Sequence, residues 1–230
     1  MTLTVKIRQQ ALALRKIRLS QRRITSEQAL RQCARVASHA GASSRRKSHL
    51  LREWCARNGY ELGQEALVGI RPVSSGAEHD VFFSDSENRA IKLTRSGGYG
   101  HSLVQEGMSA LPSEYLLRLN YQNELFGDFI ELKGIIYGET EVQILTSQPW
   151  ITTHRENPTP SEEEIDAYFE ELGFHRRDNL PVSAYYNTEM DLTVLDAHSQ
   201  NILRDEKEEL VPIDLVIGHP GEWARKWLRL

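Results

Sequence analysis

The chain has 230 residues, 40% of them apolar and 26% charged, which suits a globular domain with an appendage and excludes a fibrous or low-complexity protein. No apolar run approaches the ~20 residues of a membrane span and the N-terminus lacks the apolar core of a signal peptide, so a cytoplasmic protein without membrane association is expected. Residues 1–59 carry 14 Lys/Arg against Glu27 and Glu53, a net of +12, so the net charge of -4 leaves -16 for the rest and predicts two regions with different partners.

Helical stretches are expected at 11–19 and at 27–37, the second capped by Thr25 or Ser26. A linker at 39–44 and the basic run Arg45-Arg46-Lys47 follow. No common core is visible in 1–47, which reads as a basic helical or partly disordered extension. Its charge, with that of 48–59, makes nucleic acid a candidate partner, with a solvated arm as the alternative. The two cysteines, Cys33 and Cys55, show no metal spacing and read as buried or incidental thiols.

The main domain is expected over 48–230. Leu50, Leu51, Trp54 and Cys55 share one face of a helix at 48–58, which Gly59 stops. The period then changes: strand-like runs fall at 68–73, 81–83, 90–94, 129–136 and 142–146, with hairpin loops at 84–88 and 138–140. A helix at 113–126, after Pro112 and before Gly127, divides them into three and two. The expectation is an α+β fold with a small antiparallel sheet and one inserted helix. An apolar connector at 147–151 leads to a helix at 161–172, capped by Ser161 with Glu162, Glu163 and Glu164 in its first turn. Residues 217–230 remain, with Trp223 and Trp227 four apart on an expected amphipathic terminal helix.

Three oxygen-bearing side chains, Asp196, Asn201 and Asp214, stand at the edges of a hairpin over 195–215. They can serve a hard cation and phosphate, or simply reflect the polar composition of surface hairpins. Upstream, Gly76 and Ala77 lie in a turn of small residues that can approach phosphate or be an ordinary hairpin. Lys92 stands among apolar residues in Ala90-Ile91-Lys92. It either points inward and needs a charged partner, for which Glu114 is the candidate, or points to solvent.

The order of these parts resembles the protein kinase fold: a glycine-containing hairpin, an A-I-K strand, a helix with a Glu, two strands, a connector, then D-x-x-x-x-N and a later Asp. Asn201 is five residues after Asp196 and Asp214 is 13 after Asn201, spacings that match the kinase catalytic loop and its metal-binding Asp. G-A-E-H-D-V-F-F, G-G-Y-G, E-Y-L-x-R-L-x-x-Q-N-x-L-F-G-D, T-S-Q-P and D-x-H-x-x-N…P-I-D look like the kinase family found in polyvalent proteins of phages and conjugative elements. The resemblance spans roughly 48–220. It implies two lobes, an N-lobe at about 66–147, a hinge at 147–151 and a reduced C-lobe at 152–230. It also implies ATP and Mg²⁺, with Gly76 and Ala77 over the phosphates and Lys92 paired with Glu114. Asp196 would face the acceptor hydroxyl, Asn201 and Asp214 the metal, and the backbone of Gln148 to Ile151, Trp150 included, the adenine.

The departures are as specific. His79 stands where a further Gly is usual, Val194-Leu195-Asp196 replaces H-R-D, and Asp214-Leu215-Val216 replaces D-F-G. His198 reads as support for the loop. Sixteen residues follow Asp214, so no activation segment is expected. His175-Arg176-Arg177-Asp178-Asn179 mimics H-R-D, but Ser183 lies five past Asp178, and a charged turn is expected there instead. The implied activity is an ATP- and Mg-dependent phosphotransferase, expected to act on Ser, Thr or Tyr of proteins. The alternatives are an inactive nucleotide-binding pseudokinase and a phosphotransferase for small hydroxyl acceptors.

Overall fold

The computed structural model describes residues 26–37, 44–137, 142–178 and 180–230. The helix expected at 11–19, the loop at 138–140, Asn179 and all of the 39–44 linker but its last residue lie outside them. The described residues form an α+β fold with five α-helices and sheets of six, four and two strands.

Helix α1 (Ser26–Ala37) places Ala29, Leu30, Cys33 and Ala34 on one face, and all four are buried. They join a core with Leu51 and Cys55 of α2 (Ser44–Asn58) and with side chains of the central helix and sheet. Residues 26–37 are therefore part of the main core and not a separate extension. Their stripe is plain in the sequence, but the surfaces that cover it come from far along the chain. The thiols of Cys33 and Cys55 are both buried and free, with their sulfurs 3.9 Å apart. Arg45 to Lys47 lie within α2 and not ahead of it.

The large sheet contains β1 (Glu61–Leu62), β2 (Arg71–Ser75), β3 (His79–Ser84), β4 (Arg89–Thr94), β5 (Glu131–Tyr137) and β6 (Val142–Pro149). Its order is β1-β5-β6-β4-β3-β2, antiparallel throughout except where β1 runs parallel to β5. Two residues are too few to show a period, and β1 was not foreseen. Its approach depends on Gly134, where a Cβ would stand 2.5 Å from Leu62 Cγ. The strand expected from 68 begins at Arg71, because Gln64–Leu67 forms a 3-10 turn.

Helix α3 (Pro112–Phe126) follows β4, with Pro in its first turn and Gly127 as a left-handed C-cap (φ 67°) donating to the Asn123 carbonyl. It serves two cores. Tyr115, Leu116 and Leu119 pack with Leu132, Ile135 and Ile144 of the sheet. Tyr121, Leu125 and Phe126 pack instead on a second core downstream.

That second core is built by α4 (Glu162–Glu171), β7 (His175–Arg176), β8 (Ala184–Asn187) and β9 (Leu192–Leu195), then the β10 (Ile202–Arg204) and β11 (Leu210–Pro212) hairpin and β12 (Val216–Gly218). The four-stranded sheet has the order β12-β9-β8-β7. Phe169 is fully buried and stacks on Tyr185 at 4.4 Å. Ser161 and Glu164 form the reciprocal cap of α4, the serine oxygen accepting from Glu164 N at 3.3 Å and the carboxylate accepting from Ser161 N at 2.8 Å. The H-R-D mimic is structural: Arg176 lies on β7 and donates from Nη1 to both oxygens of Asp166 at 3.0 Å. The expected terminal helix is α5 (Glu222–Leu228), which carries Trp223 and Trp227, while Ile217 belongs to β12.

Candidate functional site

A cleft of about 940 Å³ opens between the β2–β4 end of the large sheet and the segment that carries β10 to β12. Gly76, Ala77, Lys92, Gln148, Trp150, Asp196, Asn201 and Asp214 all line it. Glu114 and His198, also singled out from the sequence, do not.

The loop after β9 is shaped by its own polar groups. Asp196 adopts a left-handed conformation (φ 62°), uncommon for a side chain with a Cβ and easiest for Asp and Asn. Asn201 Nδ2 donates to both the backbone oxygen and Oδ2 of Asp196, each at 2.9 Å. His198 Nε2 lies 3.2 Å from Asp196 Oδ1, while Gln200 N donates to His198 Nδ1. A ring nitrogen that accepts is unprotonated, so a neutral His198 carries its proton on Nε2, facing Asp196. The Asp196 carboxylate is thus oriented from two sides while half its surface stays open. Asn201 also accepts from Ile213 N at 2.8 Å through its backbone oxygen, which ties Asp214 to the loop.

Lys92 enters from β4, where it sits opposite Val81 and Thr146. Its Nζ donates to the Ile213 carbonyl at 2.5 Å, so it points into the site and not to solvent. No hydrogen bond or ion pair joins it to Glu114. That carboxylate caps its own helix instead, Oε2 accepting from Leu111 N at 3.0 Å and Oε1 accepting from the Ser102 hydroxyl at 3.2 Å. The expected Lys92–Glu114 pair is corrected accordingly: an acid at the third residue of a helix meets the free N–H groups of its own first turn.

The helix reaches the site through Arg118, one turn further on. Its guanidinium clasps Glu78 of the β2–β3 turn with both terminal nitrogens, and Nη2 also reaches Asp214 Oδ1 at 3.3 Å. His79 is buried beside them, with Nδ1 3.7 Å from Asp214 Oδ2 and Nε2 2.9 Å from the Tyr115 hydroxyl. Burial by itself would raise the Asp214 pKa. Lys92, the His79 hydrogen bond and Arg118 outweigh it and hold the carboxyl well below the usual carboxylate range. The group is ionised at neutral pH although only about a third of its surface is open. Nearby, Gln122 Nε2 donates to Asp128 Oδ2 at 2.6 Å and to the Pro212 carbonyl at 3.4 Å. Burial pushes the Asp128 carboxyl up to about 6, against the Gln122 bond and the Lys92 charge.

The donor set fits a magnesium ion. Asn201 spends its amide nitrogen on Asp196, which leaves Oδ1 as an acceptor, and Asp214 supplies an ionised carboxylate. Amide and carboxylate oxygens are the ligands that hard cations prefer. At the other end of the cleft Gln148 is buried opposite Ala90, and the Trp150 ring meets Phe83 edge-on at 4.8 Å.

Sequence reasoning missed Glu78 and Arg118 and saw His79 only as a departure. One signal was available. Arg118 falls three residues after Tyr115 and next to Leu119 on the apolar face of a helix, where a cation cannot stay without a buried partner.

No curated protein and no solved structure matches the chain. The sequence model described as "Serine/Threonine/Tyrosine Kinase found in polyvalent proteins" matches residues 44–218, which is 175 of the 230. An acid held in a five-residue D-to-N loop, a lysine on a facing strand and a second ionised acid in one cleft accord with that match, and the chain belongs to this kinase family.

Proposed function

We propose that the chain is an ATP- and Mg²⁺-dependent phosphotransferase whose acceptor is a Ser, Thr or Tyr hydroxyl of a protein. The observation that carries this reading is the convergence of Lys92, Asp196, Asn201 and Asp214 on one cleft large enough for a nucleotide. The large sheet with α3 is read as the N-terminal lobe and residues 152–230 as a reduced C-terminal lobe. The family's description implies a setting within a polyvalent protein, and an origin in a mobile element is part of the same reading.

Each residue has a role that its surroundings support. Asp196, oriented by Asn201 and His198, accepts the proton of the acceptor hydroxyl and aligns that oxygen. Lys92 turns from the Ile213 carbonyl to the α- and β-phosphates, a small movement for a flexible ammonium. Asn201 Oδ1 and Asp214 would hold Mg²⁺, which supplies charge neutralisation across the phosphates when bound. The β2–β3 turn at Gly76 and Ala77 covers the phosphates. Trp150 N donates to the Asn88 carbonyl at 3.2 Å and Gln148 sits opposite Ala90. Pro149 and Ile151 line the cleft on either side of Trp150, and the backbone groups of this connector are read as the contacts to a base.

The test is incubation of the purified protein with γ-labelled ATP and Mg²⁺. Phosphate transfer that Asp196→Ala and Asp214→Ala each lower by at least about a hundredfold is expected. Absence of both autophosphorylation and ATP turnover in the wild type removes the enzyme reading. A second reading, nucleotide binding without transfer, is favoured by one feature: Lys92 and Asp214 are already engaged, with Ile213 and Arg118. Thermal stabilisation by ATP and Mg²⁺ without turnover, lost in Lys92→Ala, would select it.

A further inference from the structure

Arg118 sits midway along α3, between the side chains that feed one core and those that feed the other, and only 4% of its side chain is exposed. It does not line the cleft, whereas Asp214 and Glu78 do. The guanidinium therefore meets Asp214 from the side away from the cleft. Its surroundings leave no slack: a Cβ at Gly100 would stand 2.5 Å from Glu78 Oε2 and 2.7 Å from Arg118 Nη1. The Arg118 Cζ also lies 4.9 Å from the centre of the Tyr115 ring.

Glu78, His79 and Asp214 present ligand atoms that all lie within 4.8 Å of one another. An imidazole and two carboxylates at that separation would gather a divalent cation if nothing else neutralised them. Here the position is taken. The guanidinium makes two hydrogen bonds to Glu78 and one to Asp214, and it cannot lose its proton. Any ion that settled in this cage would draw Asp214 away from Asn201 and the cleft.

We propose that Arg118 is a positioning residue for phosphotransfer and the built-in counter-cation of the Glu78–His79–Asp214 cage, which it fills so that Asp214 stays directed to the cleft. Its part in phosphotransfer rests on the function proposed above; its occupancy of the cage does not. In this chain α3 acts on the site through a cation anchored to the glycine-containing turn, while the acid one turn earlier serves only as a cap.

The test uses the full chain and three variants, Arg118→Met, Arg118→Lys and Arg118→Met with His79→Asn. Co²⁺ alone, without nucleotide, is titrated and followed by its visible absorption. Arg118→Met is expected to bind Co²⁺ in the cage, with an absorption band that the wild type lacks. The double variant loses that band, and Arg118→Lys binds Co²⁺ at this site at least about tenfold more weakly than Arg118→Met, because an ammonium still occupies it. With Mg²⁺ and ATP, Arg118→Lys is expected to lower kcat about ten- to a hundredfold and to change KM for ATP by less than about threefold. An Arg118→Met protein that gains no Co²⁺, or an Arg118→Lys protein with wild-type kcat, overturns the proposal. If Arg118→Met does not fold, the kcat of Arg118→Lys decides alone. A wild type without turnover sinks the phosphotransferase reading instead, and the Co²⁺ titration still decides who fills the cage.

Discussion

Asp128 offers the sharpest quantitative test of the site's electrostatics. Its carboxyl follows the C-cap of α3, is partly buried, and titrates at about 6 instead of 3.8. Burial raises it; the Gln122 bond and the Lys92 charge pull the other way and lose. The sign follows from linkage. Below about pH 4 the group is protonated in both folded and unfolded chains and contributes nothing. Between about 4 and 6 the folded chain binds a proton that the unfolded chain has released, so stability falls as pH rises. Above about 6 the folded protein carries the whole cost, some 2 pH units at 1.36 kcal/mol each, or about 3 kcal/mol as a ceiling. Asp128→Asn removes the ionisation and keeps an oxygen for Gln122. The variant should therefore be more stable than the wild type by about 2–3 kcal/mol at pH 7.5, shrinking toward zero near pH 4. Urea unfolding of both proteins at pH 4, 5.5 and 7.5 measures the difference directly. A difference that does not change with pH, or a wild type that is the more stable at pH 7.5, refutes the reasoning. It would mean that burial does not raise the Asp128 pKa because the Lys92 charge offsets it.

Three further substitutions separate cap from site and packing from backbone strain. Glu114→Ala removes the carboxylate that accepts from Leu111 N and should cost about 1 kcal/mol in thermal unfolding, with kcat/KM for ATP changed by less than about threefold. A hundredfold loss of kcat/KM would show that Glu114 reaches Lys92 in the working conformation. Gly100→Ala and Gly107→Ala both place alanine at positive φ, 78° and 64°, but only at Gly100 does a Cβ meet the Glu78–Arg118 pair. Gly107→Ala should cost about 1 kcal/mol and Gly100→Ala at least about twice that. Equal losses by denaturant unfolding would mean that the pair tolerates displacement and is not tightly enclosed.

The buried polar cluster also bears on how such a site is held together. Asp214 depends on three cationic or hydrogen-bonding neighbours, Lys92, His79 and Arg118, drawn from β4, β3 and α3. Removing one partner from a buried charge network costs more than the pair contributes, because the remaining charge is left desolvated. Geometry at Asp214 therefore couples the large sheet, the helix between the two cores and the hairpin of the second core.

What the sequence determined by itself is local. Pro112 and Gly127 bound α3, Ser161 and Glu164 close the cap of α4, and Asp196 and Asn201 are joined by hydrogen bonds across a five-residue step. Each involves groups a few residues apart, so the chemistry can be read from spacing. The order of parts that marks the kinase family is likewise a property of the chain. Tertiary structure decided the rest. It brought α1 into the core, added β1 at the edge of the sheet, and joined α3 to Asp214 through Arg118 while Glu114 capped its own helix. The physical reason is the same in each case. An apolar stripe, a two-residue strand or a charge on a buried face shows that a partner is required. Which surface or side chain meets it depends on contacts between residues such as Glu78, Arg118 and Asp214, which lie 40 and 96 positions apart and have no periodic signature.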